Sequence, residues 1–447
     1  MEAVLVFDIG KTNKKWLLFN QHYQVIAEHS IRIPELLDED GFPCDDVQAI
    51  TNWIRSETKR LKASSEYSIK AINFSGYGAS FVYLDQEGKQ IGPLYNYLKP
   101  LNPSIHQTFF RKYGDEVTIA QETASPILDL LNSGLQLVRL KNEHPDFFHD
   151  IHTALHLPQY LSYVLTGLPV SELTSIGCHT LLWNFEKRSY HDWVSQEELD
   201  DLFPPIVPSN NFFEREEMKI GVGLHDSSAA LIPYLFSFQT PFVLISTGTW
   251  SISLNPFNRT VLKKEELKQD VLAYLSFDGN AVKAARLFLG AAHEEQLSHI
   301  NTHFKRGAND YQSINFNANY LNNLKSCFGE DSKERLETSS GLHLIDWRAC
   351  NSFEEAYHQL LFNLVEHQKK STDLVLHNSP VDCIFVDGGF SHNQLFMQFL
   401  KRQYPEKSVY AATVAQASAL GAALVLHQHW NQEAIPEHLI ETKPISI

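Results

Sequence analysis

The sequence predicts an α/β protein of two domains with a cleft between them, and three observations carry that expectation. The chain has 447 residues, more than one ordinary hydrophobic core serves, so two cores are expected. Short apolar runs of strand length alternate with stretches of helical spacing. A strand–turn–strand theme at the start returns in the second half, which reads as an internal repeat.

Residues 3–8 (AVLVFD) form the first predicted strand, closed at Ile9-Gly10. WLLFN (16–20) and residues 24–33 follow as two more, joined by tight turns. Within 46–62, Val47, Ile50, Trp53, Ile54 and Leu61 share one helical face. Residues 71–74 and 81–84 read as strands, the second ended by the turn Asp85-Gln86-Glu87-Gly88. From Asp129 to about Leu165 the pattern is mostly helical and stops at Thr166-Gly167. FPPIVPSNNFF (203–213) breaks the rhythm and, with Gly221 and Gly223 beyond it, marks a boundary between domains 1–220 and 221–447. A strand over 242–246, the turn Thr247-Gly248-Thr249 and a strand over 250–254 restart the theme. Residues 260–350 read as helical stretches and polar loops. A helix over 353–370, a strand over 381–386 ending at Asp387-Gly388-Gly389, and an Ala-rich helix over 414–427 complete the order.

The net charge of −16 argues against a nucleic-acid backbone as partner, since phosphate binding on that scale needs a basic surface. The five cysteines are scattered, with no C-x-x-C pair, which speaks against a disulfide framework or a cysteine zinc site. A reducing cytoplasm is the expected location. No apolar run reaches the ~18–20 residues of a membrane span, and MEAVLVFDIG reads as a strand rather than a leader. The pairs His152/His156 and His299/His303 have i,i+4 spacing but lack the glutamate of a zinc-protease helix, so surface or packing roles are expected.

Four motifs could carry chemistry. FDIGKTNKK (7–15) places Asp8 at the end of a strand, then a turn with Thr12, Asn13, Lys14 and Lys15. Such a turn can offer N–H and hydroxyl groups to phosphate oxygens, and the carboxylate can hold Mg²⁺ through water. The same residues also suit a plain polar hairpin. GVGLHDSSAALIPYL (221–235) sets His225-Asp226 before a helical run, so that Asp226 is a helix cap or a proton acceptor at the mouth of a cleft. LISTGTWSISL (244–254) gathers Thr247, Gly248 and Thr249 at a second turn of phosphate-cradling composition. IFVDGGFSHNQLF (384–396) feeds a strand through Gly388-Gly389 into a helix opened by Ser391 and Asn393. Glycines there let a flat ring or ribose approach the backbone, and the helix start can face phosphate.

In this order and at these distances the four motifs resemble the FGGY carbohydrate kinases, of the actin/hexokinase/heat-shock-70 fold, and the resemblance runs from Val4 to about His427. LHLPQYLSYVLTG (155–167), residues 171–183 and QASALGAALVL (416–426) resemble further segments of that family. The resemblance implies two ribonuclease-H-like α/β domains and ATP-dependent phosphorylation of a sugar. It implies that Asp226 is the catalytic base and that Asp8 serves the Mg²⁺·ATP phosphates. It sets Thr12, Asn13 and Lys14 or Lys15 near the γ-phosphate, and Thr247, Gly248 and Thr249 on the ATP phosphates. Gly388, Gly389 and Asn393 then border the adenosine. Where many members carry Trp-Asp-x-Arg, this chain has LYNYLKPLNP (94–103), with SGYGAS (75–80) ahead of it. Tyr77, Gly78, His225 and Asp226, with Asn96 and Lys99 as positional candidates, are the expected sugar contacts. A 6-deoxy ketose such as rhamnulose or fuculose, or a pentulose such as xylulose, is the expected substrate class. A monomer or homodimer with no nucleic-acid or membrane partner is expected, as is a hinge near residues 205–223. The alternative is a sugar- or nucleotide-sensing protein of the same fold that does not turn over substrate.

Overall fold

In the computed structural model, which describes residues 1–329, 335–414 and 416–446, the apolar runs assemble two seven-stranded sheets. The first begins as an antiparallel meander of β1 (Glu2–Ile9), β2 (Lys14–Asn20) and β3 (Val25–Ile31). After helix α1 (Val47–Lys62), strand β4 (Ser68–Gly76) returns parallel to β1 on its other side. Strand β5 (Phe81–Leu84) leaves this sheet and pairs with β6 (Thr153–His156) and Gln90–Ile91 in a small sheet of its own. Helix α2 (Leu157–Thr166) follows. Strands β7 (Phe212–Arg215), β8 (Met218–Gly221) and the two-residue β9 (Leu224–His225) complete the first sheet, β8 and β9 both parallel to β4.

Helix α3 (Asp226–Ser237) leads into the second sheet. Strands β10 (Phe242–Thr247), β11 (Ser251–Asn255), β12 (Val271–Leu275) and β13 (Ala281–Leu287) pair antiparallel, with β13 between β11 and β12. After α4 (Leu289–Phe304) and α5 (Phe353–Leu376), strand β14 (Cys383–Gly388) lies parallel to β10. Helix α6 (Gln394–Gln403) precedes β15 (Ser408–Thr413), parallel to β14, and α7 (Ala417–Leu424) precedes the exposed edge strand β16 (Glu441–Pro444). Both sheets share one plan. A central strand, β1 or β10, has an antiparallel neighbour on one side and a parallel one on the other. The strand–turn–strand theme of the sequence is the start of each sheet.

Helices α1 and α2 cover one face of the first sheet through Ile50, Ile54, Tyr160 and Leu161. Helices α4, α5 and α6 cover one face of the second. Helix α3 lies between the sheets. Its Ala229 and Ile232 pack on the first sheet together with α7, while Leu231 and Tyr234 pack on the second. A helix buried on two sides must be apolar nearly all round, which is the composition of ALIPYLF. Helices α3 and α7 touch backbone to backbone, since a Cβ on Gly421 would stand 1.9 Å from the Ala229 carbonyl oxygen. That contact accounts for the Ala/Gly run of α7.

The stretch 129–165 is mostly helical, broken where Thr153–His156 extends to pair antiparallel with Phe81–Leu84. One expectation is corrected here. Strands β12 and β13 lie within 260–350, where helices and loops were expected. AVKAARL has a helical composition, but pairing on both edges overrides local preference. No described helix is long and apolar enough to cross a membrane.

Candidate active site

The register of the first sheet aligns the two acidic residues of the first two motifs. Asp8 pairs with Ser75 on β4, and Ser75 pairs with Leu224 on β9. The chain then turns directly into α3, so Asp226 emerges at the same carboxyl edge as Asp8, with β4 between the strands that carry them. Ligand sites of parallel α/β sheets lie at this edge.

Asp8 is buried, and its Oδ2 accepts a hydrogen bond from Ser418 Oγ at 3.0 Å and lies 3.3 Å from Lys15 Nζ. Burial raises its pKa, Lys15 opposes that, and the charge of Asp226 adds to it. The charge of Asp226 is thus felt at Asp8, where Lys15 is the ion-pair partner. Asp226 accepts the Ser227 N–H at 2.6 Å. Its side chain is 34% exposed, open toward a cavity of about 220 Å³ lined by Ser246, Tyr274, Asp387 and Ser418. Protein crowds it on the remaining sides, and this burial outweighs the Ser227 hydrogen bonds and pushes its pKa up to about 6. A carboxylate so placed can take a proton from a hydroxyl near neutral pH.

A second cavity, of about 620 Å³, is lined by Gly248, Thr249, Gly290, Gly389 and Asn393. The turn of the third motif and the Gly-Gly link of the fourth thus meet in one pocket. They meet because β10 and β14 are parallel neighbours whose ends coincide, Thr247 facing Gly388. Gly388 has φ +81°, and a Cβ there would stand 1.9 Å from the Thr247 carbonyl oxygen. Thr247 is a tie rather than an open contact. Its hydroxyl donates to the Asp387 carbonyl and accepts the Phe390 N–H at 3.0 Å. Asn393 lines the cavity while its side chain caps α6 and donates to Tyr357 Oη at 2.8 Å. Asp387, which lines the smaller cavity, accepts from Tyr234 Oη at 3.0 Å, and burial raises its pKa.

The first turn is divided differently from the expectation. Thr12 and Asn13 are exposed at its tip, with Gly10 N–H bonded to Asn13 O at 3.0 Å. Lys14 points away from Asp8. Its ammonium is buried against Asp45 Oδ1 at 2.6 Å and Lys11 O at 2.9 Å. Lys15 is the lysine that reaches Asp8, because successive residues of β2 face opposite sides. The expected sugar contacts are likewise engaged with protein. Tyr77 Oη donates to Asp45 at 2.8 Å, and Gly78 backs onto the His225 ring. His225 is buried, with Nε2 facing Cys178 and Asp226. Lys99 is neutralised by Asp38 at 2.6 Å and Asp40 at 2.5 Å, and Asn96 bonds Pro43 O at 3.0 Å. His156 is buried with its ring centroid 4.2 Å from that of Phe81, while His152 is exposed. Among the described residues the one cluster with metal-ligand spacing is Glu39, Asp40 and His144, where Lys99 and Arg139 already face Asp40.

Ser418 and Gly290 join the site without having been singled out. Ser418 had no signal, being 410 residues from Asp8. Gly290 had none either, although a Cβ there would stand 2.0 Å from Gly248 O.

Known proteins share this fold. A rhamnulokinase from Halalkalibacterium halodurans is 23% identical over 266 residues, 56% of this chain and 56% of that one. The match thus spans about half the length of the curated relatives. A carbohydrate kinase from Novosphingobium aromaticivorans superimposes with a TM-score of 0.80 at 22% identity, over 99% of this chain and 94% of that one. A ligand-bound xylulose kinase from Lactobacillus acidophilus also gives 0.80, at 14% identity, over 99% and 93%. The family model for the FGGY family of carbohydrate kinases, N-terminal domain, matches residues 3–226. That half of the chain begins on the strand that carries Asp8 and ends on Asp226 itself, and the protein therefore belongs to the FGGY family of carbohydrate kinases.

Proposed function

We propose that the protein is an ATP-dependent kinase of a sugar hydroxyl, with Asp226 as general base. One observation carries this reading: a half-open carboxylate with its pKa at about 6 shares the sheet edge with Asp8. Asp387 lines the cavity next to it, and the chain continues from Asp387 directly into the Gly388-Gly389 link of the larger cavity. The sugar side is assigned to residues 1–220 and the nucleotide side to 221–447. ATP would lie with its adenosine in the cavity of Gly389 and Asn393 and its phosphates toward Gly248 and Thr249. Of the two lysines of the first turn, Lys15 takes the phosphate-side role.

Asp8 fits a hard divalent cation. It is an oxygen donor beside the Ser418 hydroxyl, and Lys15 only partly offsets its charge against burial. Mg²⁺, when bound, supplies charge stabilisation to phosphate oxygens. The residues do the rest by positioning, which is most of what phosphoryl transfer needs. Asp226 takes the hydroxyl proton as the oxygen attacks the γ-phosphorus. The names of the relatives favour a ketose, a 6-deoxy ketose or a pentulose.

A coupled ADP-release screen over ketoses, aldoses and polyols tests the activity, and stimulation by a ketose is expected. Asp226→Asn is expected to lose at least about 100-fold in kcat while ATP still binds. No stimulation by any sugar, or a variant within a few-fold of wild type, would overturn the reading.

A further inference from the structure

His225 is built into the site in a way that contact with a sugar does not explain. Its ring is wedged against Gly78, where a Cβ would come within 2.8 Å of Cδ2. Its backbone N–H donates to Thr174 Oγ1 at 3.0 Å. Two polar atoms face Nε2: Cys178 Sγ at 3.1 Å and Asp226 Oδ1 at 3.3 Å. Nδ1 faces the Ser228 hydroxyl oxygen at 3.5 Å. That hydroxyl donates its own hydrogen to Leu275 O at 3.0 Å, so toward His225 its oxygen can only accept. Burial lowers the pKa of His225 to about 4, so the ring is neutral and carries a single hydrogen. The hydrogen belongs on Nδ1, which leaves a lone pair on Nε2.

A lone pair there suits the Cys178 thiol, whose pKa burial raises. It opposes an ionised Asp226 and welcomes a protonated one. We propose that His225, its tautomer set by Ser228, is a positioning residue whose one Nε2 lone pair accepts from the Cys178 thiol while Asp226 is ionised and passes to the Asp226 O–H, which displaces the thiol, once Asp226 carries the sugar proton. The proposal rests on the reading of Asp226 as base. In the step, the sugar O–H bond breaks and its proton goes to Asp226. The sugar oxygen's electron pair forms the new O–P bond, and the O–P bond to the leaving ADP breaks with its pair on ADP. His225 itself gains no proton. Asp226 returns its proton to solvent after product leaves.

The other groups around the pair are accounted for. Asp226 is faced by Asp8 from β1, by Tyr97, and by Tyr274 from β12, with Asp387 across the small cavity. His225 is faced by His156 and His179, with Arg286 of β13 beyond His179. Burial raises both tyrosines and lowers both histidines to about 3, so none of these four changes charge near pH 6.

Nitrogen spectra of the full-length protein labelled with ¹⁵N-histidine read the tautomer directly, with His225 assigned by its loss in His225→Gln. The Nδ1–H form is expected in wild type, and its loss in Ser228→Ala. An Nε2–H signal for His225 would overturn the proposal. Kinetics give a second arm. His225→Asn presents amide hydrogens to the carboxylate and favours its charged form, so the acid limb of kcat/KM is expected to move down by about one pH unit, with kcat reduced about tenfold. Cys178→Ser keeps a donor at Nε2 and is expected to hold the limb where it is. An unmoved limb in a folded His225→Asn would sink the proposal, and the tautomer decides if that variant fails to fold. If Asp226→Asn keeps full activity, the base assignment has failed instead. If Asp226→Asn is inactive and the limb stays, only the role of His225 has failed.

Discussion

Asp226 sits where two requirements conflict, and the conflict is measurable. Its pKa is held at about 6 by burial, so the base is ionised above that value and protonated below it. Activity is expected to fall through an acid limb near pH 6 in kcat/KM, with the slope of one proton. A limb near pH 4 would contradict the burial argument. The stability sign is opposite. A carboxyl whose pKa is raised on folding binds more protons folded than unfolded, so its contribution weakens as pH rises toward 6. Asp226→Asn is therefore expected to raise the melting temperature at pH 7.5 even as activity is lost. Asp45 behaves as structure. It is buried with Lys14, their side chains 2% and 1% exposed, and Lys11 and Tyr77 bond it as well. Its pKa is lowered, since hydrogen bonds and ion pairs from both lysines and the Tyr77 hydrogen bond overcome the upward push of desolvation. Asp45→Ala leaves the buried Lys14 ammonium without its counter-ion, with only the Lys11 carbonyl beside it, and is expected to cost about 3–5 kcal/mol in denaturant unfolding. A loss below about 1 kcal/mol would mean that Lys14 finds water instead. Asp8 and Asp226 were legible as candidates because each ends or opens a recognisable element. Which of Lys14 and Lys15 serves Asp8 was not, since a one-residue step along a strand reverses the face and only the paired sheet says which face is which.

Helices α3 and α7 show how a local composition acquires a reason. The run QASALGAALVL reads as a helix, and α7 occupies Ala417–Leu424 within it. Its small residues matter because Gly421 touches the backbone of α3. Gly421→Ala is expected to cost about 1–3 kcal/mol by overpacking. It should also disturb catalysis, because α7 carries Ser418 onto Asp8 and α3 carries Asp226. Calorimetry and turnover on the same preparation check both. A variant as stable and active as wild type would show that the helices can part freely. The strands not legible in the sequence are instructive in the same way. Thr153–His156 and Ala281–Leu287 have no strong strand pattern of their own, and they extend because a partner strand takes up their backbone hydrogen bonds.

The two sheets meet across α3, whose opposite sides belong to different cores. We propose that closure of the cleft about this helix and the segment 205–223 brings the sugar hydroxyl against Asp226 and shuts out water. Small-angle scattering is expected to report a smaller radius of gyration with sugar plus a non-hydrolysable nucleotide than with neither, and an unchanged profile would argue against closure. Much of this architecture was already written in the chain. The repeated strand–turn–strand, the apolar α3 run and the four motifs are local patterns, and local patterns survive reading one residue at a time. The site contacts are another matter. Ser418 reaches Asp8 across 410 positions and Cys178 reaches His225 across 47. The meeting of Gly248 with Gly389 depends on two strand ends lying level. Such contacts leave no periodicity in the sequence, because they are set by how the sheets and helices pack, and that packing chose which side chains face the cleft and which, like Lys14 and Lys99, are buried in ion pairs.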